Sequence, residues 1–213
     1  SKINKISKYL KKNKSDYIFI TAPENVAWLL NIRGGDSPNS PIPNSRLIIS
    51  KTKKILLISN IKKCKNLIKN KIIKINQILD IDKLPDQILK FKGKSFIIDE
   101  KSCSIFYENV IKSKFKIIKR EDPIYLWKSI KNKIEINNTI KAHILDGVAL
   151  TKFLYWIKII NKKKINEVDA AIKLESFRKK HKSFLYPSFD TIAGAGKNGA
   201  IVHYRAKKKN CRN

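Results

Sequence analysis

From about residue 16 to residue 120, short apolar runs alternate with stretches of helical periodicity, the pattern of an α/β unit. Residues 17–21 read as a short apolar strand. Residues 23–31 read as a helix with Pro23 in its first turn and Trp28, Leu29 and Leu30 as burial candidates. Gly34-Gly35 ends that helix, and the proline-rich stretch to Asn44 is a loop. Residues 47–49 and 55–58 flank a polar turn as a hairpin. A helix over 61–69, a strand over 72–75, a helix over 78–91 interrupted near Pro85, a strand over 95–99, a helix over 105–111 and a strand over 115–119 complete one domain. Its expected extent is 1–124.

After Asp122-Pro123 the period lengthens. Ile136, Ile140, Ile144, Val148, Thr151 and Tyr155 recur at helical spacing and form one apolar stripe on a long helix that runs to about Ile160. Asn166 is placed to cap the next helix, with Asp169 three residues on as the other half of a capping box. That helix extends to about Lys180. The second unit, 125–213, thus has two helices and then a glycine-rich segment, with very little sheet to receive the apolar stripe.

Within that segment, Gly194-Ala195-Gly196-Lys197-Asn198-Gly199 has the spacing of a dinucleotide fingerprint. The fingerprint needs a helix opening at its last glycine and an acidic residue further on for the ribose. Here β-branched residues follow Gly199, and no Asp or Glu occurs after Asp190. The reading adopted is a glycine turn between two strands. In the second strand Ile201, His203 and Arg205 would share one face, and Ala200, Val202 and Tyr204 the other.

The formal charge is +30, from 47 basic and 17 acidic residues. This invites a polyanion-binding reading. Of the basic residues, however, 41 are Lys and 6 are Arg, the residue favoured for bidentate phosphate and base contacts. The lysines are spread along the whole chain, and Ile (37) and Asn (19) are inflated alongside them. An AT-rich coding sequence accounts for all three, so no specific nucleic-acid partner is expected. Cys64, Cys103 and Cys211 are far apart, with no zinc spacing and no disulfide framework, which fits a reducing cytoplasmic setting. No apolar run reaches the length of a membrane span and no signal peptide is evident, so no membrane association is expected. The chain has no Met, position 1 included, so Ser1 is expected to begin a processed product or a fragment.

Three histidines are candidates for chemistry. His143, beside the apolar stripe, is expected to be partly buried and structural, since no second ligand sits at helical spacing. His181, at a helix end, is expected at the surface, where a cation complements the dipole. A lone strand histidine such as His203 is more often structural than catalytic. Asp190 has no partner carboxylate nearby and is expected to make a strand-end hydrogen bond.

Several collinear stretches together resemble aminopeptidase P, of the creatinase/prolidase/methionine-aminopeptidase superfamily. They are Asn25-Val26-Ala27-Trp28 through Arg33-Gly34-Gly35-Asp36; Lys128 to Asn132 with Glu135; Ala142-His143 through Asp146-Gly147 to Leu150; Glu167 to Ala171 with Leu174-Glu175-Ser176-Phe177-Arg178; and Ser188 to Ile192 with Gly199 to Tyr204. The loop after Asp36 departs from the family's Ile-Pro-Tyr-Asn-Pro, reading Ser37-Pro38-Asn39-Ser40-Pro41. The resemblance implies an α/β fold: a creatinase-like α/β domain followed by the truncated start of a pita-bread α+β catalytic domain. It implies an intact enzyme that cleaves between an N-terminal residue and a following proline, acting on peptide substrates and using two divalent metal ions, commonly Mn²⁺. It also leaves room for a homo-oligomer. The family's metal ligands fall in segments after the His-Tyr motif, so this chain is expected to bind no metal and to be inactive alone. The one functional position carried over is His203, which by resemblance contacts substrate and stabilises the tetrahedral intermediate outside the metal shell. The alternative is a non-enzymatic basic interaction module that kept the scaffold without the metal site.

Overall fold

The structure is a computed structural model and describes residues 1–160, 165–209 and 211. The chain divides into two units, Ser1–Ile130 and Lys131–Asn213.

The first unit is a six-stranded sheet with helices on both faces. In chain order it contains α1 (Lys2–Lys12), β1 (Tyr17–Ile20), α2 (Pro23–Leu30), β2 (Arg46–Ser50), β3 (Ile55–Ile58), α3 (Lys65–Lys69), β4 (Ile78–Leu79), α4 (Leu84–Lys90), β5 (Ser95–Ile98), α5 (Ile105–Lys112), β6 (Lys116–Lys119) and α6 (Pro123–Ser129). The strand order is β4-β3-β2-β1-β5-β6. β2 is antiparallel to both its neighbours, and the remaining pairs are parallel. Helices cover both faces, so the central strands are apolar on both sides and read as continuous runs.

Alternation along each strand divides the core in two. Ile18, Ile20, Leu47, Ile49, Leu57 and Ile97 point to one face, where they pack with Ile6 and Leu10 of α1, Val26 and Leu29 of α2, and Ile124 of α6. Phe19, Ile48, Ile58, Phe96 and Ile98 point to the other, against Leu84 and Ile88 of α4 and Ile111 of α5. Each such fully buried side chain contributes about 1.5–3 kcal/mol relative to exposure. The sequence reading did not assign α1. Its signal is the spacing of Ile3, Ile6 and Leu10 behind Ser1, whose hydroxyl caps the helix by accepting from the Asn4 N–H.

Three expectations shift. The strand expected at 72–75 forms at Ile78–Leu79, after a 3₁₀ turn over Ile75–Gln77. Pro85 does not interrupt a helix: it opens α4, where its missing N–H costs nothing. The boundary expected after residue 124 falls inside α6, because Ile124 is fully buried in the first unit's core; the division lies after Ile130.

The second unit contains α7 (Lys133–Ile159), α8 (Glu167–Lys179) and a 3₁₀ turn over Gly196–Ala200. Both helices start with full capping boxes, Asn132 with Glu135 and Asn166 with Asp169. Arg178 of α8 forks onto Asp146 of α7, with Nε 2.6 Å from Oδ1 and Nη2 3.1 Å from Oδ2. The expected apolar stripe is on α7 but is not covered: Ile136, Ile140, Ile144, Val148 and Tyr155 are all exposed. His143, expected to be partly buried, is exposed as well.

Candidate functional site

The capping box of α8 sets Glu167 at the helix's first residue, where a carboxylate complements the N-terminal dipole. Its side chain turns inward and is 4% exposed. Three donors converge on it. The Ala195 N–H donates to Oε1 at 2.6 Å, the Tyr204 hydroxyl donates to Oε2 at 2.6 Å, and Asn198 Nδ2 lies 3.1 Å from both oxygens. Asn198 Nδ2 also reaches the Tyr204 hydroxyl at 2.9 Å. Gly194 makes the turn tight enough for this, since a Cβ there would stand 3.0 Å from the Asn198 and Gly199 backbone. Beside the cluster Phe153, Ile157, Ile165, Leu174 and Ile192 line an apolar cavity of about 440 Å³ that also touches Glu167.

The glycine turn is therefore present, but the strands expected on either side are not formed among the described residues. A strand needs ladder partners for its backbone groups, and here Ala195 N–H goes instead to a buried carboxylate. The expected facing of residues 200–205 fails with the strand. Tyr204 is buried at 9% exposure, whereas His203 and Val202 are exposed. His203 has φ 53°, the left-handed region that a β-carbon disfavours. Asp190 pairs with Arg205 at 3.0 Å, which closes the segment at its ends; the pair is exposed, and no strand ends there among the described residues. His181 Nδ1 accepts from the Ser183 N–H at 3.1 Å and lies apart from the glycine turn, on a second hollow with Asp146 and Arg178.

Glu167 and Tyr204 as partners were not legible beforehand. The carboxylate and the phenol are 37 residues apart, and periodicity had put Tyr204 on the face opposite His203 without saying what it met. The one available hint was Asn198, an amide within a glycine loop.

Residues 1–135 match the model of the creatinase/prolidase N-terminal domain. The chain belongs to the creatinase/prolidase family. Residues 137–213 of this family member match metallopeptidase family M24. Similar curated proteins include a probable Xaa-Pro aminopeptidase P of Coccidioides posadasii, 34% identical over all of this chain and 34% of its own length, and one of Paracoccidioides brasiliensis, 35% identical over 99% of this chain and 36% of its own length. The chain thus spans about a third of the length of the curated relatives it matches. Among solved structures, an X-prolyl aminopeptidase of Caenorhabditis elegans, described as a cytosolic enzyme with a di-nuclear active site, shares the fold with a TM-score of 0.80. It is 22% identical over 96% of this chain and 34% of its own. An Xaa-Pro dipeptidase of Bacillus anthracis shares the fold with a TM-score of 0.60, at 17% identity over 84% of this chain and 48% of its own. The creatinase-like α/β domain followed by the start of an M24 domain is borne out, as is the resemblance to aminopeptidase P.

The two-metal centre implied by that resemblance does not fit the residues described here. No group of three or more His, Cys, Asp or Glu side chains comes together among them. The buried carboxylate nearest the glycine turn, Glu167, already has both oxygens engaged by donors. No helix among the described residues is long and apolar enough to cross a membrane.

Proposed function

We propose that this chain is part of a metal-dependent Xaa-Pro aminopeptidase that releases the N-terminal residue from peptides with proline in second position. The observation that carries the reading is the alignment of the whole chain, both domains in order, with fungal proteins named for that activity at 34–35% identity. In this reading the first unit, to about residue 130, is the non-catalytic domain and the second unit opens the catalytic one. Two divalent ions, Mn²⁺ in the first instance, are held by residues outside those described here, and the enzyme works in the cytoplasm. His203, at the surface on a glycine-rich loop, is the residue of this chain assigned to chemistry. Its imidazole donates a hydrogen bond to the oxygen that gains charge as the peptide carbonyl becomes tetrahedral.

The test is made on the intact enzyme. Hydrolysis of Xaa-Pro peptides, lost with a chelator and restored by Mn²⁺, is expected. Its absence would leave the basic, non-enzymatic module as the correct account. His203→Ala is expected to keep metal content and melting temperature while lowering kcat by about 10²–10³, the cost of one lost oxyanion donor. Normal kcat in a destabilised protein would reduce His203 to a packing residue.

A further inference from the structure

The loop that carries His203 is tied on both sides to one carboxylate. Ahead of the 3₁₀ turn, the Ala195 N–H donates to Glu167 Oε1; immediately after His203, the Tyr204 hydroxyl donates to Oε2, each at 2.6 Å. Asn198, inside the turn, bridges both oxygens and the phenol. Glu167 and Tyr204 are 4% and 9% exposed, so water competes little for these bonds. His203 sits between the anchors at φ 53°, a conformation that persists only where its surroundings over-determine it. A further tie across the segment, Asp190 to Arg205, has side chains 51% and 71% exposed and is worth little.

We infer that Glu167, acting through Tyr204 and Asn198, is the positioning residue of His203; this rests on the aminopeptidase reading of His203 above. A carboxylate suits the site because Ala195, Asn198 and Tyr204 all donate to it. A glutamine of the same shape has one acceptor oxygen: its N–H₂ would either oppose the Ala195 N–H, donor against donor, or face the Tyr204 hydroxyl, which could then no longer donate to that position.

Two arms test this. In the 213-residue chain, Glu167→Gln is expected to speed hydrogen exchange at the Ala195 amide by about tenfold or more. Unchanged exchange would overturn the clasp itself. In the intact enzyme, Glu167→Gln, and Tyr204→Phe as the milder change that removes only the hydroxyl, are expected to lower kcat by about tenfold to a hundredfold while KM stays within about twofold, as for a displaced catalytic group. Adding Glu167→Gln to His203→Ala is expected to lower kcat no further, because the two act as one unit. The same fractional loss on both backgrounds would overturn the inference, since Glu167 would then act elsewhere or only on stability. Faster exchange together with normal kcat in His203→Ala would instead mean that the clasp exists and that His203 has no catalytic part.

Discussion

Asp122 shows how burial and hydrogen bonding compete at one residue. It is 4% exposed; its Oδ1 caps α6 by accepting from the Ile124 N–H at 2.9 Å, and its Oδ2 accepts from Asn25 Nδ2 at 2.8 Å. Burial raises its pKa, the two donors pull it down, and the nearby Asp99 raises it again, with a net shift upward. A carboxyl that holds its proton more tightly when folded favours folding at pH below its unfolded pKa, and that contribution is lost as pH rises through the folded value. Asp122→Asn keeps an oxygen for the cap and removes the titration. The stability of the natural chain relative to Asp122→Asn should therefore fall as pH rises from the ordinary carboxylate range, a trend that urea unfolding at a series of pH values would measure. A flat or rising difference would contradict the assignment. Asp36 has the opposite sign: the Lys63 ammonium and the Asn44 N–H hold its pKa down, so its contribution is lost as pH falls. The mutant comparison is what separates the two.

At the scale of elements, the turn after α2 depends on a close backbone approach. A Cβ on Gly34 would stand 2.6 Å from Pro43 Cα and 2.9 Å from its nitrogen, atoms that cannot move aside like a flexible side chain. Gly34→Ala should cost about 1–3 kcal/mol, as overpacking does. Gly35→Ala, where nothing lies within 4 Å, should stay within about 0.5 kcal/mol. Paired melting curves decide, and equal melting temperatures would show that the loop gives way. The helices differ in how legible they were. The box at Asn166 could be read directly because a cap needs only residues three apart. The strand near residue 75 was misplaced because 72–78 is apolar at many positions, and only pairing of Leu57 and Ile58 with Ile78 and Leu79 selects the register.

Over the whole molecule, stability should be unevenly distributed. The first unit buries apolar side chains on both sheet faces, whereas in the second only Ala149, Glu167 and Tyr204 are buried among the described residues. Ile134, Ile140, Ile144, Leu154 and Ile159 of α7 stand 50% or more exposed, so helix propensity and caps carry most of its stability. Limited proteolysis should cut within 131–213 first and leave a fragment ending near residue 130; survival of the second unit with loss of the first would reverse the ranking. What the sequence by itself determined was local or periodic: the alternating α/β order, the long helix and its successor, and the family, whose motifs are short contiguous strings. What only the tertiary structure decided was how distant parts meet. It gave α1 its place under the sheet, assigned α6 to the first unit, left the α7 stripe uncovered, and turned the glycine segment from an expected strand pair into a loop held by Glu167. Periodicity reports which way a side chain points from its own element. Which partner it finds depends on the free energy of bringing together groups far apart in the chain, and no local pattern encodes that.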